Sequence, residues 1–258
     1  MGADRYAVID LDSLGYIVAY QQFVTLDNKI DKDKVKNHVR DFFSSILQAV
    51  EATHYCSFYQ CKGHKNFRLG IYPEYKANRP PTPEYYTHWR SVITKVYQEL
   101  KAIPLDIIES DDALSIVRDR YPNKNLIFCH NDKDMLQLYG EHYSFRKNEK
   151  TIITPKEAKL NLYTQILTGD STDNIPGCKS IGSKKAQILL DNVTDLEEVT
   201  IEKFKSVGSD YIVMKQLITL LDDTQTYEEL EIEFIKNTNL VDLNSLFEPI
   251  SDVEDLFD

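Results

Sequence analysis

The stretch Asn125–Leu138, NLIFCHNDKDMLQL, decides how the rest of the chain is read. Its first half, Asn125 to His130, is a short apolar run of the length of one buried strand, and acids follow at Asp132 and Asp134. The same pattern opens the sequence, where RYAVID (Arg5–Asp10) is an apolar run ending on an acid. It returns after Pro104, where a third short strand, LDII, leads into ESDDA (Glu109–Ala113). Thr53–Tyr59 reads as another strand. Between these runs the period changes. Val35, Val39, Phe42, Phe43, Ile46, Leu47 and Val50 recur at helical spacing, and Glu84–Ala102 and Asp111–Tyr121 also read as helices. Alternating strands and helices predict an α/β fold, a mostly parallel sheet flanked by helices. In such sheets ligands bind beyond the carboxyl ends of the strands. Asp10, Glu109 and Asp132 are therefore expected to share one site.

The pattern changes after Pro155. Lys156–Leu167 and Ser183–Leu190 read as helices separated by a glycine-containing loop, with further helices beyond. This predicts an α/β domain over 1–155 and a mostly helical subdomain over 156–258. The segment Tyr72–Pro83, YPEYKANRPPTP, is basic and proline-rich, and is expected to be an exposed loop or part of a lid.

Net charge is -11, which by itself argues against a nucleic-acid partner. The distribution reverses that argument. Asp191–Asp258 holds 18 acidic and 4 basic residues, which leaves 26 basic against 23 acidic over residues 1–190. Local charge, not the total, attracts a phosphate backbone. No apolar run approaches the roughly 20 residues needed to span a bilayer. The N-terminal residues match neither a signal peptide nor a myristoylation pattern, since Tyr6 stands where Ser or Thr is required. The expectation is a soluble intracellular protein. Cys56, Cys61, Cys129 and Cys178 form no CxxC pair and no zinc spacing, and Cys56 and Cys129 read as small core residues in a reducing compartment.

Four acidic groups carry the candidate chemistry: Asp10; Glu109, Asp111 and Asp112; Asp132 and Asp134; and Asp170 and Asp173 in GDSTDNIPG. Each alone has a plain structural reading. ESDDA suits a helix N-terminus, GDSTDN a capped turn, and NDKD the opening of the next helix. Together they read differently, because several carboxylates at one sheet edge cannot all ionise without counter-charge. Hard divalent cations with oxygen ligands supply it, and Mg²⁺ suits carboxylates and water.

The chain resembles the bacteriophage 5′ nucleases (flap endonuclease/5′-3′ exonuclease) and the 5′-nuclease domain of bacterial DNA polymerase I. The resemblance runs in order through VID (Val8–Asp10), FRLGIYPEYKANRPPTP (Phe67–Pro83), ESDDA, NDKDMLQL and GDSTDNIPGCKSIGSKKA (Gly169–Ala186), and covers roughly residues 5–190. It implies a PIN-like nuclease domain over 1–155 with an arch region at about 72–100. A helix–turn–helix-type DNA-binding subdomain and an acidic tail would follow over 156–258. By this resemblance Asp10, Glu109, Asp111, Asp112, Asp132, Asp134, Asp170 and Asp173 match metal ligands for two Mg²⁺ ions, with Mn²⁺ as a substitute. Lys76 and Arg79 match basic arch residues that stabilise charge on the scissile phosphate, and Tyr75 is placed to stack on an unpaired base. Lys179, Ser183, Lys184 and Lys185 match a duplex-DNA clamp, whose glycines, Gly177 and Gly182, aim backbone N–H groups at phosphates. That loop, 177–186, would also hold K⁺.

The resemblance implies hydrolysis of phosphodiesters near 5′ ends of flap, nicked or RNA-primed duplex DNA by a monomer. It also implies a phage-encoded enzyme in the cytoplasm of a bacterial host. Two departures stand out. Cys61 occupies the place of a family aspartate, and a thiol is a poor Mg²⁺ ligand. Ile17 and Val18 stand where an arginine is usual. Two rival readings therefore stay open: a catalytically impaired junction-binding protein, and a PIN-type ribonuclease acting on RNA. The C-terminal DVEDLFD (Asp252–Asp258) reads either as a frayed acidic end or as a docking peptide for a replication protein.

Overall fold

Strand β1 (Tyr6–Asp10) lies between β2 (His54–Gln60) and β4 (Leu126–His130) and pairs with both in parallel. With β3 (Ile103–Leu105), β5 (Gly140–Ser144) and β6 (Glu149–Ile153), the sheet of this computed structural model runs in the order β3-β2-β1-β4-β5-β6. The structure describes residues 3–25, 32–63, 65–221 and 246–250. The acidic tail lies outside them, and with it the docking expectation. A short β7 (Glu248–Pro249) pairs antiparallel with β2, and β6 antiparallel with β5; the other pairings are parallel. The chain leaves β1 toward β2 on one side and reaches β4 on the other. The crevice of a parallel sheet opens at such a reversal of strand order, so Asp10 and the residues after β4 fall at its mouth.

Alternation along β1 sets the layers. Ala7 and Ile9 join a core with α1 (Asp12–Thr25), α2 (Lys32–Val50) and α4 (Glu84–Glu99) on one face. Val8 joins Phe58, Phe128 and the apolar stripe of α5 (Ser110–Arg120) on the other. Helix α1 was not anticipated: its low amphipathicity hides that Leu14, Val18 and Ala19 are fully buried. Helix α4 stops before the expected Ala102, because Lys101 turns to a φ of 53° ahead of β3. The β5–β6 hairpin was missed because GEHYS and EKTII carry no apolar run. Strand β6 is largely exposed at the sheet edge, where charged residues guard unpaired backbone.

A third core belongs to α6 (Pro155–Thr168), α7 (Ser183–Leu190), α8 (Leu196–Val207) and α9 (Tyr211–Ile218). Thr154 starts α6 with a reciprocal capping box to Glu157. No described helix is long and apolar enough to cross a membrane. The helical part is tied to the sheet by Arg68 in α3 (Arg68–Ile71), which is only 2% exposed. Its guanidinium clasps Asp112 at 2.7 and 2.8 Å and donates to the carbonyls of Leu217 (2.9 Å) and Thr219 (3.2 Å).

Asp112 is fully buried, so removing its partner leaves an uncompensated charge. Arg68→Met is expected to cost about 3–5 kcal/mol in denaturant unfolding. Adding Asp112→Asn removes that charge, keeps an acceptor for the Leu221 N–H, and should recover a substantial part of the loss.

Candidate metal centre

Asp10 ends β1 with 7% of its surface exposed. Its carboxylate accepts from the Asp12 N–H at 2.9 Å. Burial, then the charges of Asp12 and Asp132, push its pKa well above the usual carboxylate range. Glu109, Asp111 and Asp112 stand at the start of α5. There the Glu109 N–H donates to Asp112 at 3.2 Å, so these acids open a helix as well as forming a cluster. Asp132 and Asp134 follow β4, and Asp134 begins a single 3-10 turn. Asp170 and Asp173 sit in the loop after α6. Two glycines shape that loop. Gly169 and Gly177 have φ of 69° and 64° and lie backbone against backbone; a Cβ on Gly177 would meet the Gly169 nitrogen at 2.3 Å.

The carboxylates gather into two groups. Glu109, Asp111 and Asp112 present ligand atoms within 4.8 Å of one another, as do Asp134, Asp170 and Asp173. Between them Asp132 acts electrostatically on Asp10, Asp111 and Asp134. A cavity of about 630 Å³ opens over both groups. Its donor set is hard anionic oxygen, which fits Mg²⁺ or another divalent cation of that class. Cys61 also lines the cavity.

Charge decides the state of each acid. Burial raises the pKa of Asp111, and its neighbours Asp112 and Glu109 raise it further. Burial, Asp132 and Asp170 push Asp134 up to about 7. Glu109 goes the other way: burial alone would raise it, but Lys76 and Arg68 hold it well below the usual range. The Lys76 ammonium bonds Glu109 and stands 3.6 Å from Asp173. Arg79 pairs with Asp173, and Lys133 with Asp170 at 2.9 Å. The Lys133 pairing and the Thr172 N–H outweigh burial and lower the Asp170 pKa.

Two expectations, for Tyr75 and Asp112, need correction. The Tyr72–Arg79 part of the basic segment is largely exposed turns, as expected. It is zipped to the Asp170 loop by Lys76 N–H to the Asp173 carbonyl (2.8 Å), Asn78 to the Ser171 carbonyl (2.7 Å) and Asn174 to the Glu74 carbonyl (2.8 Å). Tyr75 presents no face for stacking. Only 5% exposed, it donates its hydroxyl to Glu109 at 2.6 Å and lies within 3.2 Å of Asp173. Asp112 does not face the cavity, because Arg68 and the Leu221 N–H take its oxygens. Gly177 packs its backbone closely against Gly169. Lys179, Ser183, Lys184 and Lys185 are exposed away from the cavity, and Gly182 precedes α7.

Sequence reasoning missed Asp12, Arg68 and Lys133. Asp12 accepts from the Gln60 N–H (2.8 Å) and Ser110 hydroxyl (2.7 Å), joining β2 to α5 below the site. Its signal was present in the D-x-D spacing of Asp10 and Asp12. Arg68 and Lys133 lay inside quoted motifs, but their partners are distant in sequence.

The crowding has a measurable consequence without divalent metal. Unfolded, Asp134 loses its proton near pH 4; folded, near 7. Its stabilising protonation is therefore present below about pH 4 and lost as pH rises to about 7. In EDTA, Asp134→Asn should raise Tm by roughly 2–4 °C at pH 8, with the gain shrinking toward pH 5. A pH-independent gain would contradict the assignment.

Comparison with known proteins places this geometry. The family described as "5′-3′ exonuclease, N-terminal resolvase-like domain" matches residues 5–163. A 5′-3′ exonuclease of Buchnera aphidicola subsp. Acyrthosiphon pisum (strain APS) is 34% identical over 159 residues, covering 55% of each chain. The flap endonuclease Xni of Pseudoalteromonas translucida (strain TAC 125) is 26% identical over 202 residues, 70% of this chain and 78% of that one. The chain thus spans about half the length of the Buchnera relative it matches. Among solved structures, the T5 D15 protein co-crystallised with metal ions aligns with a TM-score of 0.65 at 16% identity, over 91% of this chain and 98% of the other. The T5 5′-exonuclease with bound zinc gives 0.66 at 14% identity over 98% of both. At such identities the structural likeness establishes the fold. The family match, which covers more than half of the chain, establishes descent: the chain belongs to the 5′-3′ exonuclease family through its N-terminal resolvase-like domain.

Proposed function

We propose that the chain is a divalent-metal-dependent 5′ nuclease that hydrolyses phosphodiesters near the 5′ ends of flap, nicked or primer-bearing duplex DNA. The observation that carries this reading is the convergence of Asp10, Glu109, Asp111, Asp132, Asp134 and Asp173 on one cavity, which Lys76 and Arg79 also line. Two divalent cations held by these carboxylates and Asp170, Mg²⁺ with Mn²⁺ as substitute, would supply water activation and neutralise charge on the leaving oxygen. The protein's own part is to hold the acids in place and to stabilise the phosphate. Lys76 and Arg79 are donors that can pass from Glu109 and Asp173 to an incoming phosphate, exchanging one anionic partner for another. Tyr75 orients Glu109 through its hydroxyl.

The exposed lysines at 179, 184 and 185, with Ser183 at the start of α7, suit sequence-independent contact with duplex phosphates. This is the helix–turn–helix-type clamp of the reading, and its loop, 177–186, is the place for a potassium ion. The enzyme would act as a monomer on DNA structure, not base sequence, in a bacterial cytoplasm.

Incubating a 5′-labelled flap duplex with Mg²⁺, Mn²⁺ or EDTA tests the reading, beside Asp173→Asn. Cutting near the flap base is expected, abolished by EDTA and reduced at least about 100-fold by the substitution. Tight flap binding without cutting in either metal would favour the junction-binding protein, with Cys61 as the first suspect. Preferential cutting of RNA would favour a ribonuclease.

A further inference from the structure

Four basic side chains line the cavity, and three of them are engaged. Lys76 and Arg79 are ion-paired, and Arg90 donates to the carbonyls of Gln60 (3.4 Å) and Cys61 (3.1 Å). The fourth is Arg146, in the turn between β5 and β6. Among the described residues no acceptor holds its guanidinium. Helix α1, whose Ser13 and Tyr16 also line the cavity, contains no lysine or arginine, and its Val18 is buried in the core.

The backbone beneath Arg146 is fixed while its side chain is not. The Asn131 side-chain carbonyl accepts from the Arg146 N–H at 2.9 Å and the Ser144 hydroxyl at 3.3 Å, and its amide donates to Ser13 on α1 at 3.2 Å. Phe145, next in the chain, is 7% exposed and packs edge-on against Phe42 at 5.8 Å. Tyr143 closes the turn by donating to Asn148 at 2.9 Å. A guanidinium carried on such a support, lining the same cavity as Asn131 and Asp132, can donate two parallel N–H bonds to the oxygens of a tetrahedral phosphate. Phosphate is the anion that the proposed reaction brings to this cavity.

We propose that Arg146 binds a backbone phosphate of the bound DNA at the Asp132 end of the cavity, as a third cationic contact apart from the Lys76/Arg79 pair and the 177–186 loop. The inference rests on the nuclease reading above. Its test is equilibrium binding of a 5′-flap duplex to the full chain in Ca²⁺ over about 50–300 mM KCl, because each phosphate neutralised contributes about 0.9 to the slope of log K against log salt. Arg146→Ala should bind roughly tenfold more weakly at the lowest salt with a slope shallower by about one. Arg146→Lys should keep the slope. Lys147→Ala, a neighbouring cation outside the cavity lining, should stay within about twofold of wild type. Circular dichroism melts would establish that the variants fold alike, and a structural role alone would leave the slope unchanged. A wild-type slope for Arg146→Ala, or an equal loss in Lys147→Ala, would overturn the inference while leaving the nuclease reading intact. Absence of salt-dependent flap binding by the wild type would overturn that reading, and the inference with it.

Discussion

Repulsion among carboxylates is the constraint on which this structure turns. Asp10, Glu109, Asp111, Asp132, Asp134, Asp170 and Asp173 are drawn to one edge of the sheet, and most are buried there or nearly so. Like charges in a desolvated volume cannot all ionise unpaired. The protein answers in two ways. Lys76, Arg79, Arg68 and Lys133 neutralise Glu109, Asp173, Asp112 and Asp170. Asp10, Asp111 and Asp134 are left with raised pKa values, and these are the acids whose charge divalent cations would most relieve.

The fold creates this crowding by topology. Reversal of strand order at β1 and β4 brings residue 10 beside residue 132, and α5 delivers its first turn to the same edge. The second trio needs the helical part as well, because Asp170 and Asp173 come from a loop beyond α6. Two features hold that loop to the sheet. The Gly169–Gly177 backbone contact leaves no room for a side chain. Arg68, reaching from Asp112 to the end of α9, locks the first trio to the helices that carry the second. A buried ion pair of this kind adds little net stability over an apolar replacement, but its geometry is directional. It therefore specifies how the two halves of the site meet.

Much of this was legible in the sequence, for physical reasons. Apolar runs ending on acids marked β1 and β4, and the helical period marked α2, because burial on one face imposes a pattern. Helix α1 escaped because its exposed face carries Tyr16 and Tyr20, so no clean polar stripe sets off the buried Leu14, Val18 and Ala19. Strands β5 and β6 escaped because an exposed edge strand need not be apolar. Within the site, the acids were found because carboxylates without nearby counter-charge are conspicuous. Their partners were not, because Arg68 to Asp112 and Tyr75 to Glu109 are contacts between distant segments. Tyr75 shows the limit most clearly: beside a lysine in a basic stretch it reads as a surface stacking group, yet its ring completes the core of the helical part.

The central claim is that the Glu109/Asp111 end and the Asp134/Asp170/Asp173 end of the carboxylate cluster would hold two separate divalent cations. Counting bound Mn²⁺ by electron paramagnetic resonance titration tests it most directly, with the wild type beside Glu109→Gln and Asp170→Asn. Two ions per wild-type chain, and one in each variant, are expected. A single ion in the wild type, or a count that neither substitution changes, would contradict the account.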